Sequence, residues 1–154
     1  MQGSVRGFFF ILVILLVPAG LQAADNPFIG AWKFNADRSK PGDRSATLTF
    51  AAYGADGLKF TRDIIEATGN PAYWEWSANF DGKDYKFTGS PNYDSLSVKH
   101  VDSNTFLATH KKGGKVMTSA WYTVSKDGKM LGVTTAGVNA QGKEVLFFSV
   151  YDKQ

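Results

Sequence analysis

The chain has 154 residues and no cysteine, which excludes a disulfide framework and a thiol nucleophile and leaves a hydrophobic core to stabilise the fold. It carries 17 basic and 14 acidic side chains, and the basic ones are scattered, so no surface that follows a nucleic acid backbone is predicted. A chain of this length can bury about two thirds of its unfolded surface in one domain.

The first 23 residues read as a secretory signal peptide. Arg6 provides the positive charge, residues 8–17 are uniformly apolar, and Leu21-Gln22-Ala23 offers a small residue for cleavage. The apolar stretch is too short for an uncleaved anchor, because a membrane-crossing helix needs roughly 20 such residues. We therefore predict a secreted or periplasmic protein whose single mature domain spans residues 24–154.

Turn-forming residues recur along the mature chain about every ten to fifteen residues. The runs between them are rich in Val, Thr, Phe, Tyr and Trp and lack helical periodicity, which indicates antiparallel strands joined by hairpins. In chain order the predicted strands are 29–35, 46–53, 58–65, 73–80, 83–88, 96–101, 105–110, 116–124 and 145–151, with a further strand around Val133.

Short turns fix which residues face each other, so a register can be carried from one hairpin to the next. The predicted facing pairs are Trp76 with Phe87, Tyr85 with Leu96, Val98 with Leu107, Leu107 with Ala120, Tyr122 with Val133, and Val133 with Phe148. This register gathers the apolar side chains on one face. The polar positions on that face are Tyr85, His100, Thr109, Thr118, Tyr122 and Thr135.

A meander with one apolar face leaves two exposed edges unless it closes. The predicted fold is therefore all-β, an antiparallel meander closed into a barrel of about 8–10 strands. Ten strands result if residues 29–35 and 83–88 each form one. The row Trp76, Leu107, Tyr122 and Phe148 is predicted to line the closed interior, and the carrier hypothesis depends on all four facing inward.

The run Phe28-Ile29-Gly30-Ala31-Trp32-Lys33 resembles the opening of the calycins, the superfamily of lipocalins and fatty-acid-binding proteins. In that family a Gly-x-Trp starts the first strand and the indole plugs one barrel end. The resemblance implies a close backbone approach at Gly30 and a partner for the Trp32 N–H. Over the whole mature chain the pattern resembles small secreted bacterial lipocalin-like proteins, which implies a lipocalin-like barrel.

Two features depart from the fatty-acid-binding proteins. Those proteins hold the ligand carboxylate with an Arg-x-Tyr pair on the last strand, where this chain has Ser149-Val150-Tyr151. They also insert a helical lid after the first strand, and residues 36–45, with Pro41-Gly42, are too few for two helices. The resemblance therefore does not imply fatty-acid binding.

Six residues are predicted to bind a ligand inside the barrel: Arg62, Trp74, Trp76, Tyr85, Thr118 and Tyr122. Arg62 alternates with three apolar residues, Leu58, Phe60 and Ile64. If these face the core, the guanidinium lies inside and needs an acid, carbonyls or an anionic ligand; the alternative is a rim arginine that reaches water. Trp74 and Trp76 either form a platform for a flat or apolar ligand or fill the core.

No metal, cofactor or catalytic site is predicted. His100 and His110 fall on opposite faces in this register, and a turn one residue longer would still separate them by roughly 13 Å along the strand. The Gly-Lys turns do not continue as a phosphate loop. No Gly-x-Ser-x-Gly elbow or compelling carboxylate pair occurs, so we expect no enzymatic activity.

The leading hypothesis is a carrier that holds a small apolar or amphipathic molecule inside the barrel. One alternative is a solid barrel that acts through its surface as an interaction or inhibitor module. An outer-membrane barrel is a third, disfavoured because the turns are short and the chain ends Tyr151-Asp152-Lys153-Gln154. Neither stable membrane insertion nor a nucleic acid partner is predicted, and ligand identity and oligomeric state are left open.

Overall fold

The computed structural model describes residues 26–40, 45–139 and 141–154. Its strands are β1 (Gly30–Asn35), β2 (Ser45–Ala52), β3 (Gly57–Ile65), β4 (Pro71–Asn79), β5 (Tyr85–Thr88), β6 (Ser95–Asp102), β7 (Thr105–Lys112), β8 (Lys115–Val124), β9 (Met130–Val138) and β10 (Glu144–Lys153). Each strand pairs antiparallel with its sequence neighbours, and β10 pairs with β1, so the sheet closes into a barrel. A 3-10 turn, Ala36–Arg38, follows β1.

The predicted fold class is confirmed, including the count of ten strands. The predicted turn chemistry explains the tight connections. In the turn between β8 and β9, Gly128 has φ +70° and its N–H donates to the Ser125 carbonyl at 2.9 Å. The predicted signal peptide, residues 1–23, lies outside the described residues. Within the described ranges no helix is long and apolar enough to cross a membrane.

Trp32 closes one end of the barrel. Its side chain is 0% exposed, and its indole N–H donates to the Phe28 carbonyl oxygen at 2.8 Å. Gly30 has φ +127°, and a Cβ there would lie 3.3 Å from Cε of Lys153. The partnered indole plug implied by the Gly-x-Trp motif is thus confirmed, while the close approach at Gly30 comes from a lysine side chain rather than from backbone.

A lysine also covers the indole of Trp32. The Lys153 ammonium lies 4.9 Å from the ring centroid, and a cation in this position contributes about 0.5–1 kcal/mol. We therefore expect Lys153→Met, which keeps the aliphatic stem, to lower the free energy of unfolding by about that amount in urea titrations. Lys126→Met removes an exposed turn lysine and is the control; an equal loss in both variants would contradict the assignment.

Aromatic side chains fill the barrel beyond this plug. Phe106 stacks on Tyr122 with ring centroids 4.6 Å apart, and Phe60 stacks on Trp76 at 5.1 Å. Phe50 meets both stacks edge-on. All five side chains are buried and belong to one hydrophobic cluster.

Three of the six predicted facing pairs are confirmed, namely Trp76 with Phe87, Tyr85 with Leu96, and Tyr122 with Val133. The other three are wrong by one residue, because Val98 and Ala120 both face Ala108, and Phe148 faces Thr134. The errors fall on two strands, β7 and β10.

Strand β7 is inverted relative to the prediction, so that Leu107 and Thr109 lie outside. The register shifts by one residue on each side of this strand, after His100 in the pairing with β6 and after His110 in the pairing with β8. Because the two shifts cancel, β6 and β8 keep their predicted faces and β7 alone turns over. Its interior positions are Phe106, Ala108 and His110.

Strand β10 is inverted because the preceding loop is longer than predicted. Val138 pairs with Glu144, so Lys143 belongs to the loop and not to the strand. Phe148, predicted inside, is 42% exposed on the outer face. Its neighbour Ser149 faces the interior instead.

The predicted interior row is therefore half right. Trp76 and Tyr122 are buried inside the barrel, whereas Leu107 and Phe148 point to the other side of the sheet. The carrier hypothesis therefore cannot rest on this row of residues. It depends instead on whether the interior encloses a cavity that can hold a ligand.

Candidate functional site

A cavity of about 410 Å³ occupies the end of the barrel opposite Trp32. Its volume is within the range of small-molecule sites, so the alternative of a barrel packed solid throughout is wrong. The lining comes from the strands and from the connections after β1, β3 and β5. The lining residues are Lys40, Leu48, Phe60, Arg62, Glu66, Ala67, Thr68, Trp74, Phe87, Asn92, Tyr93, His110, Tyr122, Val133, Thr135, Phe147, Ser149 and Tyr151.

The structure brings three of the six predicted ligand-binding residues together around this cavity. Arg62 and Trp74 face each other across β3 and β4, and Tyr122 reaches the same space from β8. The pairing of β3 with β4 is regular, so alternation along each strand places Arg62 and Trp74 on the interior face.

The other three predicted residues lie outside the cavity lining. Trp76 is 3% exposed and stacks on Phe60, which separates it from the cavity that Phe60 lines. Tyr85 is at the start of β5, where its hydroxyl donates to the Asp81 carboxylate at 3.0 Å. Thr118 is 1% exposed and hydrogen-bonds to cavity residues. Direct contact of these three with a ligand in the cavity is therefore no longer expected.

Arg62 places a positive charge in the cavity wall. Arg62 is half-buried and lies on the same face as the buried Phe60 and Ile64. The central carbon of the guanidinium lies 4.7 Å from the Trp74 ring centroid, a cation–π arrangement. The planar group and its N–H donors suit carboxylate, phosphate or carbonyl oxygens.

Four rings form the wall next to Arg62. Tyr93 stacks on His110 with centroids 4.7 Å apart and an interplanar angle of 20°. The same tyrosine meets Trp74 and Phe87 edge-on, at 6.4 and 5.7 Å. Aromatic faces and edges packed in this way offer a ligand a large apolar surface.

His110 is a buried and neutral member of this wall. Its side chain is 6% exposed, and Nδ1 lies 3.1 Å from the Thr118 hydroxyl, which in turn donates to the Tyr93 hydroxyl at 3.2 Å. Burial, and then the positive charge of Arg62, lower the pKa of His110 from 6.5 to about 4. The imidazole is therefore uncharged at neutral pH.

Tyr122 adds a phenol to the cavity lining. The residue is 7% exposed. Burial raises the pKa of Tyr122 well above its usual value of 10.0, against a smaller opposing effect from the charge of Arg62. The phenol thus stays protonated and can donate a hydrogen bond to a ligand.

The prediction that the two histidines lie on opposite faces is wrong. Both occupy the interior face, because His100 pairs with Phe106 and His110 lies four residues further along β7. His100 is at the opposite end of the barrel, where it stacks on Phe80 with centroids 3.8 Å apart. In the part of the chain that the structure describes, no three His, Cys, Asp or Glu side chains cluster as a metal site.

His110 and Tyr93 are among the cavity residues that the sequence pattern does not predict. His110 was assigned to the outside because neither bulge beside β7 has a glycine or other mark in the sequence. Both faces of that strand carry apolar residues, with Phe106 on one and Leu107 on the other, so its pattern does not choose between them. Tyr93 directly follows a predicted turn, and a loop position has no alternation from which its direction can be inferred.

The last strand contributes no charge to the cavity. Ser149 and Tyr151, which stand where fatty-acid-binding proteins carry an Arg-x-Tyr pair, both line it. The guanidinium comes instead from Arg62 on β3. The last strand lacks the arginine of the Arg-x-Tyr pair, but the cavity still has a positive group at a different position.

No protein-family model matches this sequence, and no curated protein matches it. Among solved structures, the crystal structure of a point mutant of the fluorescent protein UnaG is similar, with a TM-score of 0.52 and 16% identity. The match covers 83% of this chain and 96% of that chain. At this identity the likeness concerns the fold alone, and it agrees with the closed antiparallel barrel described above.

Proposed function

We propose that this protein is an exported carrier that binds a small amphipathic molecule in the barrel cavity. The observation that carries the proposal is a cavity wall in which four aromatic rings adjoin a guanidinium. The apolar part of the ligand lies against the rings, and its polar part lies toward Arg62. The proposed activity is binding, not catalysis.

The cavity volume limits the size of the ligand. A water molecule takes a share of about 30 Å³ in the liquid, so about 410 Å³ corresponds to roughly 14 water-sized groups. One or two fused rings, or a short branched chain, fit this space. A long acyl chain would have to extend past the loops that follow β3 and β5.

Export is supported by the leader-like residues 1–23. Native mass spectrometry of the full-length gene product, expressed in a bacterium and recovered from the periplasm or medium, tests export and binding together. We expect a chain that begins at Ala24 and carries a bound molecule, released into organic solvent for identification. A full-length chain confined to membranes would contradict export, and a ligand-free mature protein would contradict the carrier proposal.

The charge of Arg62 gives a prediction for the released ligand. Arg62→Met keeps a long side chain and removes the guanidinium, so we expect affinity for that ligand, measured by isothermal titration, to fall about tenfold. The matched control is Lys59→Met, because Lys59 lies on the same strand but is exposed. An equal loss of affinity in both variants would mean that overall charge causes the effect. No loss of affinity in either variant would mean that Arg62 does not contact the ligand.

A further inference from the structure

We infer that the ligand of this cavity carries a hydrogen-bond donor, a hydroxyl or N–H group, which Nε2 of His110 accepts. The inference rests on the proposed function and narrows the ligand class to small, ring-containing alcohols, phenols or N–H heterocycles. It follows from the way the hydrogen bonds behind the cavity wall fix the tautomer of the imidazole.

The proton positions follow from one hydroxyl with two neighbours. Thr118 has a single hydroxyl hydrogen, which it donates to the Tyr93 oxygen at 3.2 Å. The short contact of 3.1 Å between the same Thr118 oxygen and Nδ1 of His110 must then use the hydrogen of the imidazole. A neutral imidazole with its hydrogen on Nδ1 has a bare lone pair on Nε2.

The surroundings of His110 keep that lone pair available. The rings packed against the imidazole are Tyr93, at 4.7 Å, and Phe87, edge-on at 5.6 Å. Arg62 is the charged group that acts on it, and a guanidinium disfavours protonation. His110 lines the cavity and is 94% buried, since 6% of it is exposed. A buried acceptor without a partner costs free energy, and a ligand that supplies a donor removes this cost.

Tyr122 has the opposite polarity. The residue is also buried and lines the same cavity, and its protonated phenol can donate a hydrogen bond. The site therefore offers one acceptor at His110 on β7 and one donor at Tyr122 on the adjacent strand β8. Sites built with buried hydrogen-bonding groups discriminate against analogues that leave those groups unpaired.

Two probes of nearly equal size test the inference. The compound 2-naphthol has an O–H that can be donated, and 2-methoxynaphthalene has the same ring system and oxygen without that hydrogen. We expect the mature wild-type protein, titrated with each after organic extraction of any bound molecule, to bind 2-naphthol about tenfold more tightly. Equal affinities would overturn the inference and leave the proposed function standing, whereas no binding of either probe would contradict both.

Three variants identify the acceptor. His110→Asn keeps an amide near Nδ1 and has no atom at the Nε2 position, so the tenfold preference should disappear; His110→Gln places an amide oxygen near Nε2 and should restore part of it. Tyr122→Phe removes the donor and should weaken both probes equally, leaving their ratio unchanged. A preference that persists in His110→Asn would overturn the inference, and the wild-type comparison decides it even if a variant does not fold.

Discussion

Replacing Trp32 by alanine is expected to lower the free energy of unfolding by about 4 kcal/mol, the usual cost of truncating a fully buried aromatic side chain. The indole is 0% exposed, plugs the barrel end, and satisfies the Phe28 carbonyl through its N–H. The variant loses the packing and leaves this carbonyl oxygen without its donor. Urea denaturation followed by far-ultraviolet circular dichroism measures the loss.

The chain offers a matched control in Trp121, which lies on the outer face of β8 and is 39% exposed. Trp121→Ala removes the same number of atoms and should cost no more than about 1 kcal/mol, since solvent already covers part of the ring. Similar losses in the two variants would mean that Trp32 contributes as an ordinary apolar residue and not as the plug of the barrel.

The fold was predictable because turn chemistry and alternation point the same way along most of the chain. Asp81-Gly82 and Asp127-Gly128 are strong turn signals, and the pairs they imply, Trp76 with Phe87 and Tyr122 with Val133, are present. Closure followed from the single apolar face, because an open meander exposes two edges. Local signals and burial agree in these segments, so the prediction needed no knowledge of the tertiary structure.

The site was only partly predictable because its residues depend on register to a single position. Arg62 was placed correctly since β3 pairs regularly with both its neighbours. His110 was misplaced since one bulge on each side of β7 turns that strand over. A bulge is an irregularity of the paired strands, so a period-2 pattern in one strand cannot reveal it when both of its faces are partly apolar.

The same misplaced histidine gives the protein a specific dependence of stability on pH. Burial lowers the pKa of His110 to about 4 in the folded protein, against 6.5 for an unperturbed histidine. As pH falls below about 6.5, the unfolded chain takes up a proton that the folded one does not, so folding loses about 1.4 kcal/mol per pH unit until the folded-state pKa is reached. Between pH 7 and pH 4.5 we expect this histidine to account for a loss of about 2–3 kcal/mol.

The contribution of His110 is isolated by comparing pH profiles, because carboxylates also titrate in acid. We expect His110→Gln, which has no titrating group at this position, to lose about 2–3 kcal/mol less than the wild type over the same interval, whatever its stability at pH 7. Since an uncharged imidazole is also what the ligand inference requires, parallel profiles for the wild type and His110→Gln would remove the electrostatic support for both.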